Sequence, residues 1–202
     1  MMRHLTAALA LFLLAAAPDG SLSDRDVEAM LAAVDVYRGA QEGSMAVISD
    51  RTIGRGFLPT PGTQKARGAI PEALLDALKD RNVTRASLPG LCEGVSRCRV
   101  LTPDIQQRFR ERAQRLRRRA IEDGETLPRG FSPFWDSFAK EFPDAGGLLR
   151  VSLPAFSDDG SQALVAIVWT AATVQGGSQL ILMNQTGWGW EIDQVVTGNL
   201  AL

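Results

Sequence analysis

Apolar residues recur at helical spacing through the front of this chain and switch, after Gly146-Gly147, to alternation. In the front part, Ser23-Asp-Arg-Asp26 has the form of a capping box that opens a helix. Val27, Met30, Leu31 and Val34 mark its buried face, and Gly39 is positioned to end it. Residues 45–53 (MAVISDRTI) read as a strand. A loop with Pro59, Pro61, Gly62 and Gly68 leads to Pro71, which begins a short helix ending near Asp80. A further loop carries both cysteines. Thr102 then caps a long helix with Pro103 in its first turn and Gly124 at its close. Ser132-Pro133 repeats that start signal for a helix burying Phe134, Trp135, Phe138 and Phe142.

Behind the glycines, Leu149, Val151, Leu153 and Ala155 alternate with Arg150, Ser152 and Pro154, the pattern of a strand with one wet face. Asp158-Asp159-Gly160 reads as a turn. Residues 162–170 (QALVAIVWT) are apolar on both faces, as a central, doubly covered strand requires. Gln175-Gly-Gly177 turns the chain into a strand over residues 178–184, and Thr186-Gly187 turns it again. In the last strand, Trp188, Trp190 and Ile192 are expected to point inward, with Glu191 and Asp193 outward. The class is α+β, with helices packed on a four-stranded or slightly larger antiparallel meander sheet. One domain is expected over residues 18–202, helix-rich from 23 to 142 and forming its sheet from 148 to 198.

Residues 1–17 bear on where this domain works. Arg3 and His4 make a short basic start, the stretch from Leu5 to Ala17 is almost wholly apolar, and Ala15 and Ala17 supply a small-residue cleavage pattern. This reads as a secretory leader, so a periplasmic or secreted location is expected. The apolar run falls short of the roughly 20 residues of a membrane span. Cleavage would remove His4, the only histidine, and with it every histidine base, histidine-activated nucleophile and histidine metal ligand. The formal net charge of −1 gives no reason to expect a nucleic-acid partner.

Cys92 and Cys98 are the only cysteines. In an oxidising compartment, so close a pair is expected to form a disulfide that closes a small loop. The rival reading, a redox-active pair, usually has a two-residue spacer beside a helix start.

A resemblance appears in the last third of the chain. It is carried by Trp135, Phe138, Phe142-Pro143, Gly146-Gly147, Ser152, Phe156-Ser157, the run Gln162-Ala-Leu-Val165, Gly176-Gly177 and Trp190-Glu-Ile192. With a fainter trace in residues 78–82 and Leu88, this resembles a set of uncharacterised secreted bacterial proteins. They share a tryptophan–phenylalanine helix, an aromatic-Pro stop, an "FS…QALV" strand pair, a glycine turn and a closing "W-x-I" strand. Many of them carry cysteines near the glycine turn, where this chain has Ala171, Ala172 and Thr173. The resemblance implies a fold and an exported compartment, and no activity. A single propeller-like segment, Phe156-Ser-Asp-Asp-Gly160, lacks the repeated period a propeller requires and reads as a turn.

Catalytic candidates are sparse. Ser137-Phe-Ala-Lys140 fits the S-x-x-K pattern of a lysine-tuned serine, but the companion S-D-N and K-T-G elements are missing. Asp158-Asp159-Gly160 lacks the spacing and distal glutamate of a calcium loop. Glu191 and Asp193 would share one strand face roughly 7 Å apart, within the span of paired glycosidase carboxylates. No cofactor and no metal site is expected.

The feature with functional force is the helix expected from Thr102 to Asp123. Ile105, Phe109, Ala113, Leu116 and Ala120 form a narrow apolar stripe. Arg108, Arg112, Arg115 and Arg119 follow i, i+4, i+7 and i+11 along one edge, and Arg110 and Arg117 line the other. Counting Arg118, seven arginines within residues 108–119 face only Glu111 as an internal counter-charge, so their repulsion opposes the helix unless something anionic meets it. Arginine suits bidentate capture of carboxylate or phosphate. The row reads either as a solvated helix edge paired to carboxylates elsewhere, or as a docking face for an acidic envelope protein or another anionic envelope component. The expected function is a non-catalytic binding or interaction module. The alternative is a small periplasmic hydrolase using carboxylates or the serine–lysine pair.

Overall fold

The computed structural model describes residues 22–40, 44–61, 69–124, 126, 132–171 and 175–199. The leader expected over residues 1–17 lies outside them. Four α-helices and eight strands are seen among the described residues: α1 (Asp24–Ala40), β1 (Met45–Ser49), β2 (Thr60–Pro61), α2 (Glu72–Arg81), β3 (Cys98–Leu101), α3 (Pro103–Glu122), α4 (Pro133–Glu141), β4 (Ala145–Val151), β5 (Ala155–Phe156), β6 (Gln162–Thr170), β7 (Gly176–Thr186) and β8 (Gly189–Asn199). None of the helices is long and apolar enough to cross a membrane.

Local chemistry sets the helix starts. The Ser23 hydroxyl accepts from the Asp26 N–H at 3.1 Å, and the Asp26 carboxylate accepts from the Ser23 N–H at 3.2 Å, a reciprocal cap on two otherwise orphaned donors. Thr102 Oγ1 accepts from the Ile105 N–H at the head of α3, and Pro103 occupies the first turn. Gly124, at φ +68°, closes that helix in the left-handed conformation that favours glycine.

The α+β class holds, but the sheet is larger than expected and mixed rather than purely antiparallel. Its order is β2-β8-β7-β6-β4-β1-β3, with β5 pairing β6 off that path. The back half does form an antiparallel succession, β4 to β6, β6 to β7 and β7 to β8. The front half then adds β1, which runs parallel to both β3 and β4. Partner choice of this kind rests on contacts remote in sequence, which periodicity does not encode.

Three apolar clusters fill the space around the sheet. On one face, Ala29, Met30, Ala33 and Val34 of α1 pack against Ile48, Leu149, Val165, Ile167, Ile181 and Met183. On the other face, Leu74 and Leu78 of α2 cover Leu164, Ala166, Leu180, Leu182 and Val196. Beside them, Phe109 of α3 and Phe138 of α4, with Phe142 just past the end of α4, cover Val47, Leu101 and Leu148. Every residue from Ala163 to Val168 is buried, as a strand covered on both faces demands.

The expected strand through residues 149–155 is divided. Its backbone leaves the ladder at Ser152, a buried residue whose hydroxyl accepts the Ala166 N–H at 2.9 Å. Asn82 then substitutes for a strand neighbour: its side chain accepts from the Leu153 N–H at 2.8 Å and donates to the Leu153 carbonyl at 3.1 Å. Trp188 does not follow the expected alternation. It stands in the β7–β8 turn and is 98% exposed rather than inward, because β8 starts only at Gly189. Ile192 is likewise exposed, and Trp190 is half-buried.

Candidate functional site

The arginine row lies on α3, on the sheet face opposite α1. The helix is anchored at its first half, where Phe109 meets Phe134 edge-to-face with ring centroids 5.7 Å apart. Phe134 in turn contacts Trp135 and Phe138 within α4. Phe109 is the one buried residue of α3. Beyond it the apolar stripe is only half covered: Ala113, Leu116 and Ala120 are partly exposed, and Ile121 is 78% exposed.

The cations on this helix are almost all without counter-ions among the described residues. Arg108 pairs with Glu141 at the end of α4, Nη2 to Oε1 at 2.9 Å. Arg110 donates through Nε to the side-chain oxygen of Gln107 at 3.0 Å, a neutral partner. Arg112, the innermost member of the row, is half-buried against the stripe, whereas Arg115 and Arg119 are exposed. Arg117 and Arg118 are exposed on the far side. The structure thus brings Arg108, Arg112, Arg115 and Arg119 onto one edge of α3 and leaves Arg112, Arg115 and Arg119 in no ion pair within the described chain.

A groove on the opposite edge of the same helix had no signature in the row itself. It encloses about 410 Å³ between α3 and the start of α4, with Phe109, Ala113, Pro133 and Phe134 among its walls and Arg110 and Arg117 beside it. Its only legible trace in the sequence is that Arg110 and Arg117 flank the apolar stripe. A second cavity of about 840 Å³ lies beside α2 and is walled by Leu58, Ile70, Leu75 and Leu78, with the Lys79–Asp76 ion pair among its lining. Its lining comes from residues 55–61 and 70–79, two neighbouring segments whose approach to one another no spacing pattern announced.

Cys92 and Cys98 are disulfide-bonded, with Cα atoms 5.3 Å apart, and tie the loop before β3 to the start of that strand. Ser137 is buried, and its hydroxyl finds no hydrogen-bond partner among the described residues. Lys140 is engaged by Asp136 at 3.0 Å instead, so no serine–lysine couple is assembled. Glu191 and Asp193 are both exposed. A bulge opposite Leu182 and Met183 leaves Asp193 as the unpaired extra residue, which breaks the alternation that was to align the two carboxylates.

Asp159 organises the turn before β6. Its carboxylate accepts from the Ser157 hydroxyl at 2.6 Å and from the Ser161 N–H and hydroxyl at 2.9 and 2.8 Å. The Ser157 hydrogen bond above all, then those of Ser161, lowers its pKa to about 2. Among the described residues no group of three or more histidine, cysteine, aspartate or glutamate side chains is arranged to hold a metal ion.

No protein-family model, curated protein or solved structure matches this chain.

Proposed function

We propose that this chain is an exported, non-catalytic binding module of the cell envelope, related to the secreted bacterial proteins that its last third resembles, and that it docks an acidic partner on α3. The observation that carries the reading is the run of Arg112, Arg115 and Arg119, aligned on one helix edge and in no ion pair among the described residues. Like charges three and four residues apart destabilise a helix, so an anion arriving at this edge gains attraction and relieves repulsion together. Guanidinium groups spaced by successive turns present paired donors to carboxylates. The Cys92–Cys98 disulfide is compatible with an oxidising compartment.

The test is binding of polyglutamate to the purified protein at low and moderate salt. The triple variant Arg112→Gln, Arg115→Gln, Arg119→Gln should fold normally yet bind at least about tenfold more weakly, with a shallower salt dependence. Equal affinity in variant and parent would dismiss docking on this edge. Arg108 is left in place because its bond to Glu141 joins α3 to α4.

A further inference from the structure

We infer that the α3–α4 groove receives the apolar anchor of an amphipathic acidic helix from a partner protein, so that the partner is held by a hydrophobic side chain as well as by charge. This deepens the docking role proposed for α3 and rests on it. Three features of one surface converge. The groove of about 410 Å³ has aromatic and small apolar walls from Phe109, Phe134, Pro133 and Ala113. Arg110 and Arg117 stand along it, seven residues apart and therefore about 10 Å apart along the helix axis. The stripe continues past α4 through the half-exposed Leu116 and Ala120 to the exposed Ile121.

Charge complementarity selects the occupant. Both edges of the stripe carry guanidinium groups, and the acid in the first turn of α4, Asp136, is already paired with Lys140. A helix with carboxylates at i and i+7 and leucine-sized residues at i+3 and i+4 matches this arrangement. Its acids reach Arg110 and Arg117 while its apolar pair enters the space between α3 and α4. Such a helix would pack as the third member of a cluster, in the manner of a helix-in-groove complex. A lipid surface fits less well: only Leu116 and Ile121 offer bulk beyond the groove, and the remaining positions of the exposed stripe are alanine.

The experiment compares four fluorescent or vesicle probes on the purified protein: a helical peptide with glutamate at i and i+7 and leucine at i+3 and i+4, the same peptide with both leucines replaced by alanine, polyglutamate, and phosphatidylglycerol vesicles. The leucine peptide should bind at least about tenfold more tightly than its alanine counterpart, since each truncation removes buried apolar surface. Ala113→Phe, which fills the groove and removes no charge, should erase that advantage while leaving polyglutamate binding intact. Arg110→Gln with Arg117→Gln should weaken the leucine peptide by at least about tenfold. If polyglutamate binds but the leucines add nothing, or if Ala113→Phe leaves their advantage unchanged, the groove inference falls and the docking role stands. If no acidic probe binds, both fall. Vesicle binding that Ala113→Phe abolishes, with no peptide binding, would also overturn the assignment to a protein partner. Far-ultraviolet circular dichroism of each variant shows whether the fold is retained, and Ala113→Leu replaces Ala113→Phe should the larger residue unfold the protein.

Discussion

Arg81, at the end of α2, closes on Asp26, at the head of α1, with Nη1 to Oδ1 at 2.9 Å and Nη2 to Oδ2 at 3.3 Å. The same guanidinium donates to the Pro154 carbonyl at 2.6 Å, so one side chain joins two helices and the β4–β5 link. Beside it, Arg25 lies over the Phe156 ring at 4.2 Å and donates to the Gly160 carbonyl. These contacts hold the end of the molecule where helices from both sheet faces meet the β5–β6 turn.

Removing one partner of this bond is expected to be more harmful than removing both. The Asp26 side chain is 7% exposed and that of Arg81 35%, so water screens the pair only in part. Asp26→Ala also forfeits the reciprocal cap with Ser23, and the combined loss should be about 3 kcal/mol. Arg81→Met alone strands a buried carboxylate. Urea denaturation of the two single variants and the double variant gives the coupling, which should be clearly non-additive.

Asn82 carries a second structural prediction. Its amide donates to the carbonyls of Leu78 and Leu153 and accepts the Leu153 N–H, in a position with no exposed surface. Asn82→Ala leaves these backbone groups unpaired and should cost about 2 to 3 kcal/mol. Asn82→Asp keeps the acceptor for Leu153 but turns a negative oxygen toward two carbonyls, so it should recover little. A denaturation midpoint for Asn82→Ala equal to that of the parent would show that these bonds contribute nothing.

The disulfide should act as a modest staple. It closes a short loop, for which chain-entropy reasoning gives about 2 kcal/mol. Cys92→Ser with Cys98→Ser should therefore lower the denaturation midpoint without unfolding the protein, and a reducing agent should shift the parent to the same midpoint. No shift on reduction, in protein whose thiols then react freely, would remove the staple from the account.

Much of this fold was legible wherever one short segment decides the outcome. Ser23 with Asp26, Thr102 with Pro103, and Ser132 with Pro133 each mark a helix start through groups only a few residues apart. The doubly apolar run that became β6 announced its burial on both faces. The parallel pairing of β1 with β3 and β4 was not legible, because nothing in the residues of β1 names a partner about fifty or a hundred positions away. Trp188 departs from the apolar alternation because the glycines on either side of it make a turn rather than a strand. The arginine row was visible from spacing alone, but its pairing depends on where α4 lies, and among the described residues only Glu141 forms an ion pair with it.

Acid should loosen the β5–β6 turn over a defined range. Folding lowers the Asp159 carboxyl from an ordinary value of 3.8 to about 2, so its ionised form is favoured in the folded chain. A group shifted downward contributes stability that is complete above its unfolded pKa and is lost as pH falls through its folded one. The contribution should thus be intact above roughly pH 4 and vanish toward pH 2. Carboxyl chemical shifts should place the Asp159 midpoint near 2, and Asp159→Asn should remove this part of the acid sensitivity. A midpoint near 3.8 would mean that the Ser157 and Ser161 bonds do not persist in solution.

Arg115→Glu separates a functional helix from a merely solvated one, because stability and binding should move in opposite directions. At present Arg115 faces Arg112, Arg118 and Arg119 at three- and four-residue spacing, with Glu111 the only acid in the same relation. A glutamate there repels Glu111 but attracts the three arginines, and its position four residues ahead of Arg119 is the favourable orientation. The net gain should be about 0.5 to 1 kcal/mol, read as a higher thermal midpoint and greater protection of α3 amides from exchange. The same exchange reverses a charge in the middle of the row, so polyglutamate binding should fall by more than it does for Arg115→Gln. A stabilised protein with undiminished binding would identify the row as a solvated edge. A stabilised protein that no longer binds would show that α3 keeps an arginine its own stability does not favour, as a docking surface requires and a structural one does not.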